Sequence, residues 1–461
     1  MTTLTESLAE RTKQYSLYEW GDQTLTPLEI VRSAGVYLYG PQDQRYLDLN
    51  SVSMNVNIGH GDMRVVEAVT RQMTELSTAG PMMATPIRAE VSEMLSAVTP
   101  PGLSKVFWTN GGTDANEAAI RTARLVTGRH KILTRRRSYH GGTLGSLSAS
   151  GDPRRWPIES GVTGIVRIPD PYWYRHPEYS DPAAFRDANL AEIEDIVVQE
   201  GPHTIAAIMV EPITGSNGII VPPHGWLAGL RALCDRYGIL LICDEVMSGF
   251  GRTGAWFAVD HEEVVPDILT CAKGITSGYV QLGACVVSED IAAWVHRRPL
   301  GSGLTYNSHV VALAAAKANL EIYASDDLLA RAAARGEYLL RGLQRLALTH
   351  PSVGDVRGRG LFTAIELVHD RTTRDSLFTI AGETSAVPGR MVQRMLDDGV
   401  HAALRGPYLF ANPPLIISEQ EIDEGLAALD RALDLADEAT ASAGAPIPQH
   451  LTRSYPTPWK Q

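Results

Sequence analysis

The chain has 461 residues, of which 44% are hydrophobic and 20% are charged, and its formal net charge at pH 7 is −12. This length allows two or three domains with a well-buried core. The acidic balance argues against a protein that binds the phosphate backbone of nucleic acids, since such proteins need a basic surface.

Neither a membrane span nor a metal site is predicted. No run of about 18 consecutive apolar residues occurs, and charged residues stand where a secretory signal peptide would have its apolar core. The cysteines lack the CxxC spacing of zinc sites, and most lie in apolar runs, so we expect all four to be reduced and buried in a cytoplasmic protein. They are Cys234, Cys243, Cys271 and Cys285.

The predicted elements begin with a hairpin over residues 35–40 and 45–49. Short apolar runs then alternate with helical segments: strands are predicted over 105–109, 131–134, 204–210, 238–243 and 267–271, and a helix over 114–127. Continuous apolar strands separated by helices indicate a mostly parallel sheet with helices on both faces. Ligands of such sheets gather at the carboxyl ends of the strands.

The pattern changes after residue 327. A long helix is predicted over 328–349, followed by a turn and an antiparallel-type strand within 353–367. The tail after Ala439 is expected to be a loose extension. The sequence therefore predicts an α/β protein with a large domain of residues 65–327 and a smaller α+β domain built from residues 1–64 and 328–461.

A glycine turn follows the first of these central strands, in the segment Asn110-Gly-Gly-Thr-Asp114. Glycines at this position let main-chain amides approach an anion, and the following helix adds unpaired N–H groups and the positive end of its dipole. Thr113 can donate to a phosphate, although it can equally cap the helix.

Polar and aromatic residues also follow two further strands. Tyr139 has an aromatic ring that can stack on a flat heteroaromatic group, or it is an ordinary core tyrosine. Asp244 ends the most apolar strand, where a carboxylate must be solvated, paired or hydrogen-bonded. Facing a protonated ring nitrogen satisfies this requirement, although acid pairs such as Asp244-Glu245 also occur in hydrolases.

Lys273 is one of six lysines in a chain with thirty-five arginines, and it follows an apolar strand directly. A lysine amine with a lowered pKa attacks carbonyl groups, whereas an arginine guanidinium stays protonated. A structural lysine at the end of a strand is the alternative.

In chain order, a phosphate turn, a stacking ring, an aspartate and a lysine are the four contacts that hold and activate pyridoxal 5′-phosphate. From Trp20 to Asp423 the chain resembles the class III, or ω-amino-acid type, aminotransferases of fold type I. The motifs that carry the resemblance are Asn57-Ile-Gly-His-Gly61, the turn from Asn110 to Glu117, Tyr139-His-Gly141, Glu211-Pro212, Asp244-Glu-Val246, Phe250-Gly-Arg-Thr-Gly254, Pro266-Asp267, Ala272-Lys-Gly274, Leu304-Thr-Tyr306, Arg357-Gly-Arg-Gly360 and Pro413-Pro-Leu415.

The resemblance implies roles for individual residues. Lys273 would hold the cofactor as a Schiff base and move the substrate proton, and Asp244 would pair with the ring nitrogen. Tyr139 and Val246 would cover the two ring faces, while Gly112 and Thr113 would bind the phosphate. Thr305 would reach the phosphate of a neighbouring subunit, which implies a homodimer.

The resemblance also implies amino transfer from an ω-amino acid or amine, such as taurine or β-alanine, to pyruvate or 2-oxoglutarate. Met54 would line the pocket, Glu211 would pair with an arginine when no substrate carboxylate is bound, and Arg405 would clamp that carboxylate unless it is a surface arginine. An aminomutase or a decarboxylating transaminase on the same fold is an alternative. A non-enzymatic relative is another, and the intact set of Lys273, Asp244 and Tyr139 argues against it.

Overall fold

The computed structural model describes residues 7–21, 23–159, 161–380, 385–442 and 447–452. The strands in chain order are β1 (Arg32–Ala34), β2 (Tyr37–Tyr39), β3 (Arg45–Asp48), β4 (Leu103–Thr109), β5 (Lys131–Arg135), β6 (Ile165–Ile168), β7 (Ile205–Val210), β8 (Leu240–Asp244), β9 (Ile268–Cys271), β10 (Gly283–Ser288), β11 (Val353–Arg359), β12 (Phe362–Asp370), β13 (Asp375–Ser376), β14 (Val400–His401), β15 (Ala403–Arg405) and β16 (Tyr408–Ala411). The helices are α1 (Leu8–Tyr15), α2 (Ser51–Met54), α3 (Met63–Glu75), α4 (Pro86–Val98), α5 (Gly112–Thr127), α6 (Leu144–Ala149), α7 (Pro182–Glu200), α8 (Trp226–Tyr237), α9 (Glu289–Val295), α10 (Val310–Ser325), α11 (Leu328–Thr349), α12 (Val387–Asp397), α13 (Glu419–Asp437) and α14 (Gln449–Thr452). Short 3-10 turns cover Pro41–Asp43, Pro153–Ile158, Trp173–Arg175, Pro202–Thr204, Ala258–Glu262 and Lys273–Ile275.

A seven-stranded sheet in the order β4-β10-β9-β8-β7-β5-β6 forms the centre of the fold. Strands β9, β8, β7, β5 and β6 run parallel to one another, whereas β10 runs antiparallel to both β9 and β4. All six residues of β7 are buried, because helices cover both faces of a parallel sheet. The mostly parallel α/β sheet expected from the sequence is thus confirmed, with β6 and β10 as strands that were not predicted.

Two smaller sheets combine strands from distant parts of the chain. One has the order β1-β2-β3-β14, and its parallel β3–β14 pair joins the N-terminal hairpin to residues 400–401. The hairpin predicted near the N-terminus is confirmed as β2 and β3. The other sheet is antiparallel, in the order β11-β12-β16-β15 with β13 paired to β12. The domain boundaries at residues 64 and 327 stay a prediction.

Two expectations for the C-terminal part are corrected. Residues 353–359 form the strand β11 rather than a turn, because the polar side chains of Asp355 and Arg357 are buried and paired with each other at 2.8 Å. The tail is not loose throughout: Leu451 is buried, and the His450 ring lies 2.9 Å from the carbonyl of Gly354. The remaining tail residues, 443–446 and 453–461, lie outside the described residues.

Other predictions hold within the described residues. The helix expected over 328–349 is α11. All four cysteines are free and buried. No helix in the described part of the chain is long and apolar enough to cross a membrane.

Candidate active site

The carboxyl ends of β5, β8 and β9 bring the predicted polar residues to one edge of the central sheet. Asp244 is the last residue of β8 and pairs in register with Thr270 of β9. Lys273 follows two residues after β9, and Tyr139 follows four residues after β5. This arrangement is the expected one, since neighbouring parallel strands end at the same edge of a sheet.

Asp244 is buried and its carboxylate is held by three donors. Oδ2 accepts from the side-chain amide of Asn116 at 2.7 Å and from the ring of His140 at 2.8 Å, while Oδ1 accepts from the main-chain N–H of Val246 at 3.0 Å. These bonds fix the position of the carboxylate. Asn116 and His140 were not anticipated from the sequence, although each lies within a few residues of a predicted site residue.

The glycine turn opens directly into α5, which begins at Gly112. The first N–H groups of a helix have no partner within the helix, so this end presents donors and a positive dipole to an anion. A Cβ on Gly112 would lie only 2.8 Å from the side chain of Val246, so Val246 packs against the turn. The hydroxyl of Thr113 accepts a hydrogen bond of 3.2 Å from the N–H of Gly142. Gly112, Thr113 and Val246 are therefore neighbours.

Lys273 has a φ of 47°, a left-handed conformation that is unusual for a residue with a side chain. The next residue, Gly274, is held through its carbonyl, which accepts hydrogen bonds from Asn319 at 2.8 Å and Tyr323 at 3.0 Å. A Cβ on Gly274 would lie 2.5 Å from the side-chain nitrogen of Asn57, so only glycine fits there. The strained backbone of Lys273 is therefore held in place by the contacts of the residue that follows it.

The amine of Lys273 is shifted toward its neutral form. Its pKa is lowered to about 8: burial is the largest cause, the negative charges of Asp244 and Glu211 oppose it, and the positive charges of Arg154 and Arg252 act in the same direction as burial. A substantial neutral fraction near neutral pH is what a lysine needs to attack a carbonyl.

One face of the Tyr139 ring is covered by the guanidinium of Arg154, whose central carbon lies 3.5 Å from the ring centroid. The main-chain N–H of Tyr139 donates to Glu211 at 3.1 Å, and the N–H of Gly215 donates to the same carboxylate at 2.6 Å. Glu211 therefore binds main-chain amides in this structure, and its predicted pairing with an arginine stays a prediction.

Arg405 pairs instead with Asp152, whose side chain is fully buried. The same carboxylate binds Arg154 through two hydrogen bonds of 2.9 Å. Both guanidinium groups also reach Ser216: Arg154 donates to its hydroxyl at 3.2 Å and Arg405 to its carbonyl at 3.1 Å. Asp152 and Arg154 were missed by sequence reasoning, and the only local signal was a polar Asp-Pro-Arg-Arg run after a small-residue segment.

The two remaining predicted residues lie in different settings. Met54 is buried in an apolar cluster with Ile213, Ile219 and Phe410, against which Met247 packs. Thr305 lies in the exposed segment 301–306. Its predicted contact with a neighbouring subunit stays a prediction.

These groups fit pyridoxal phosphate. The start of α5 provides donors for the phosphate, the carboxylate of Asp244 suits a protonated ring nitrogen, and the amine of Lys273 is suited to attack an aldehyde. Tyr139 is half-buried and lies after strand β5 of the same sheet, where its ring can stack on the cofactor.

Comparison with known proteins agrees with this interpretation. The family model of class III aminotransferases matches residues 18–433. Taurine–pyruvate aminotransferase of Bilophila wadsworthia is 35% identical, over 89% of this chain and 93% of that protein. Putrescine–pyruvate aminotransferase of Pseudomonas aeruginosa is 33% identical, over 88% and 90%.

Solved structures are similarly close. Taurine:2-oxoglutarate aminotransferase of Bifidobacterium kashiwanohense, in complex with pyridoxal phosphate and glutamate, superposes with a TM-score of 0.90 at 37% identity and covers 93% of this chain and 97% of that chain. The chain belongs to the class III aminotransferases and is a pyridoxal-phosphate-dependent transaminase of fold type I.

Proposed function

We propose that this enzyme transfers the amino group of an ω-amino acid or a related acidic amine, such as β-alanine or taurine, to pyruvate or 2-oxoglutarate. The observation that carries the proposal is the pair of guanidinium groups, Arg154 and Arg405, that share the single carboxylate of Asp152 beside Tyr139. The relatives named for taurine and putrescine support amine donors with a distal polar group.

The arginine pair has an excess of positive charge that suits an anionic group on the donor. Two guanidinium groups face one carboxylate, so one positive charge remains unbalanced within this group of three. Both arginine side chains are partly exposed, at 24% for Arg154 and 27% for Arg405, whereas Asp152 is fully buried. A planar guanidinium binds carboxylate or sulfonate oxygens through two parallel hydrogen bonds. This pair is thus our candidate for the site of the donor's distal acid group.

Arg154 links this acid-binding group to the reacting end of the pocket. Its guanidinium lies over Tyr139, and its charge lowers the pKa of Lys273. A donor with its acid group at Arg154 and Arg405 would therefore extend its amine toward Lys273. The distance between the two ends selects donors whose amine is separated from the acid group by a short chain.

Lys273 and Asp244, at the reacting end of the pocket, have different chemical roles. Neutral Lys273 accepts the proton that leaves the donor carbon and returns it to the cofactor side, as a general base and then a general acid. Asp244, held by Asn116 and His140, keeps the ring nitrogen protonated. Bound pyridoxal phosphate supplies the electron sink that makes this proton removable. The amino group then passes to the oxo acid in a second half-reaction, which is a ping-pong scheme.

We also propose that the active enzyme is a homodimer. Several large apolar side chains are exposed in the described chain, including Met82 at 95%, Met83 at 62%, Tyr306 at 67% and Leu304 at 44%. Leu304 and Tyr306 flank Thr305, so this segment suits burial against a second copy of the chain. In such a dimer Thr305 would reach the phosphate of the partner's cofactor.

The proposal is tested by measuring each half-reaction with matched donors. β-Alanine and taurine are compared with n-propylamine, which lacks the acid group, by following the absorbance of the bound cofactor. Arg405→Met and Arg154→Met should each lower kcat/KM for the acidic donors by about 10- to 100-fold, since a hydrogen bond to a charged group contributes about 1.5–3 kcal/mol. In Arg405→Met the turnover of n-propylamine should change far less, so this variant decides the acid-binding role. In Arg154→Met the turnover of n-propylamine also includes the effect of Arg154 on Lys273.

Arg341→Met serves as the control, because the ion pair of Arg341 within the described residues is with Glu337, one turn earlier on the exposed surface of α11. Equal losses for charged and uncharged donors would contradict an acid-binding role. Release of carbon dioxide, or turnover that needs no oxo acid, would favour the decarboxylating transaminase or the aminomutase instead.

A further inference from the structure

The segment Ser51–Met54 forms one turn in which four consecutive residues have left-handed conformations. Their φ values are 45°, 45°, 67° and 61°, and none of the four is glycine. Left-handed conformations are unfavourable for residues with a Cβ and normally occur singly. Four consecutive residues keep this conformation only where contacts with the surrounding structure hold them in it. Backbone strain of this kind is often found at functional sites.

This turn forms part of the wall around the active site. Its last residue, Met54, is buried in the apolar cluster against which Met247 packs, three residues after Asp244. The chain then continues to Asn57, whose side chain is in close contact with Gly274. The turn therefore adjoins the pocket wall directly through Met54, whereas the loop that carries Lys273 contacts the chain only beyond the turn, at Asn57.

The carboxylate of Asp48 supports the first half of the turn, next to the turn's own main-chain hydrogen bonds from Met54 to Asn50 at 2.7 Å and from Asn55 to Ser51 at 2.9 Å. It is fully buried and accepts hydrogen bonds from the main-chain N–H groups of Asn50 and Val52, each at 3.1 Å. It also contacts the rings of His60 at 3.1 Å and His401 at 3.2 Å. Although burial opposes ionisation, the hydrogen bonds from His401 and His60 lower the pKa of Asp48 to about 2.

The two histidines that contact Asp48 lie in separate parts of the fold. His60 exchanges main-chain hydrogen bonds of 2.9 and 2.7 Å with Gly35. His401 lies in β14, which pairs with the strand that ends at Asp48. A second support lies on the other side of the turn, where the hydroxyl of Ser51 donates to the carbonyl of Asn412 at 2.6 Å. Ser51 thus fixes the first residue of the turn. The next residue, Val52, has an exposed side chain, and its main-chain N–H is bound by Asp48.

We propose that Asp48 is a positioning residue of the transamination site: it holds the left-handed turn Ser51–Met54 against the pocket and thereby sets the fit of the amine donor. This inference rests on the proposed function, because the donor must lie along the wall that Met54 forms. Asp48 has no contact with the reacting groups, so its influence passes through the conformation of the turn.

Glycine substitutions in the turn allow this role to be separated from a general contribution to folding. Glycine adopts left-handed conformations without strain. In Val52→Gly/Ser53→Gly the turn should keep its shape without help from the carboxylate. We therefore compare Asp48→Ala, the double glycine variant, and the triple variant that combines all three changes, each as the cofactor-bound enzyme.

In Asp48→Ala we expect KM for β-alanine to rise about tenfold with kcat changed less than about threefold, because the altered wall weakens donor binding more than the chemical step. The absorbance of the bound cofactor should stay unchanged. In the triple variant KM should return to within about threefold of the wild-type value. If Asp48→Ala does not fold, recovery of folded, active protein in the triple variant is the expected result.

Hydrogen–deuterium exchange of the peptide covering residues 49–57 gives a readout that does not depend on substrate. Exchange should be faster in Asp48→Ala and slow again in the triple variant. A triple variant with the KM and exchange of Asp48→Ala, or one that fails to fold as Asp48→Ala does, would overturn the proposal. A wild-type enzyme that does not use acidic donors would refute the proposed function, whereas the exchange result would still decide whether Asp48 holds the turn.

Discussion

The side-chain amide of Asn116 donates a hydrogen bond of 2.7 Å to the carboxylate of Asp244. Asn116 lies on α5, about one turn after Gly112, so the helix that begins at the glycine turn also holds the carboxylate of Asp244. The hydroxyl of Thr270 donates to the other end of the same amide at 2.6 Å and fixes its orientation. One rigid helix thus sets the separation between the two polar ends of the cofactor site.

Replacing Asn116 with alanine should weaken cofactor binding. Asp244 would lose a buried donor, and a hydrogen bond to a charged group contributes about 1.5–3 kcal/mol. We expect the dissociation constant for pyridoxal phosphate to rise about 10- to 100-fold, measured by equilibrium dialysis. Asn189→Ala is the matched control, since Asn189 is also buried and bonded on both sides, to Trp226 and to the carbonyl of Asp170, but lies outside the site. An equal loss of affinity in both variants would contradict the role of Asn116.

Alanine substitutions at Gly112 and at the preceding Gly111 provide a second test and its control. A Cβ on Gly112 would meet both methyl groups of Val246 at 2.8 and 2.9 Å, whereas a Cβ on Gly111 would meet nothing within 4 Å. Overpacking of this kind typically costs about 1–3 kcal/mol. Gly112→Ala should therefore raise the dissociation constant of the cofactor about 10- to 100-fold, while Gly111→Ala should change it little. Adding Val246→Ala to Gly112→Ala should restore part of the affinity, and absence of any recovery would rule out the clash as the cause.

The lowered pKa of Lys273 predicts a particular pH dependence for cofactor uptake. Only the neutral amine attacks the aldehyde, and the pKa of about 8 means that this form predominates above pH 8 rather than only above 10.5. The rate of cofactor uptake by cofactor-free enzyme, followed by absorbance, should rise through pH 8 and then level off. A midpoint near pH 10 would show that the amine is unperturbed.

Two variants test whether the pH midpoint of cofactor uptake is the pKa of Lys273. In Arg154→Met a nearby positive charge that lowers the pKa of Lys273 is removed, so the midpoint should move to higher pH. Lys273→Ala should take up no covalently attached cofactor. After borohydride reduction of the wild type, the labelled peptide should contain Lys273, and a label on Lys317 or Lys105 would refute the assignment.

Glu366 should be important for stability. Its fully buried carboxylate binds the guanidinium groups of Arg175 and Arg357 and the hydroxyl of Tyr172, and so joins β12 to the segment after β6. In Glu366→Gln one acceptor oxygen becomes an N–H donor that faces these donor groups, although Arg357 keeps its ion pair with Asp355. At least one hydrogen bond to a charged group should be lost, and such a bond contributes about 1.5–3 kcal/mol. Urea unfolding of the cofactor-bound enzyme should reveal this loss. Glu419→Gln breaks an ion pair with Arg335 that is about one-third to one-half exposed, and should change stability by less than about 1 kcal/mol.

Much of the reacting end of the site could be predicted because its residues directly follow apolar strands. Tyr139, Asp244 and Lys273 each follow such a run, and parallel strands necessarily bring their carboxyl ends together. The glycine turn before α5 was likewise visible, since a helix start after a strand is a local feature. In these cases local patterns and the rules of sheet topology are sufficient.

The donor side of the pocket was much harder to predict. Arg405 and Asp152 are 253 residues apart, and only the folded chain brings them together. The same holds for Asp48 and His401, which are 353 residues apart. The polar residues of β11 suggested a turn, because their burial depends on Arg357 meeting Glu366 of the neighbouring strand.

The sequence by itself therefore determined the family, the α/β sheet and the order of the cofactor-binding residues, because these depend on short-range patterns of apolar and polar residues. Only the tertiary structure decided which arginines share Asp152, which side chains hold Asp244, and how a strained turn is kept beside the pocket. Such contacts join segments hundreds of residues apart. Their energies depend on burial and on exact partners, which periodicity and composition do not encode.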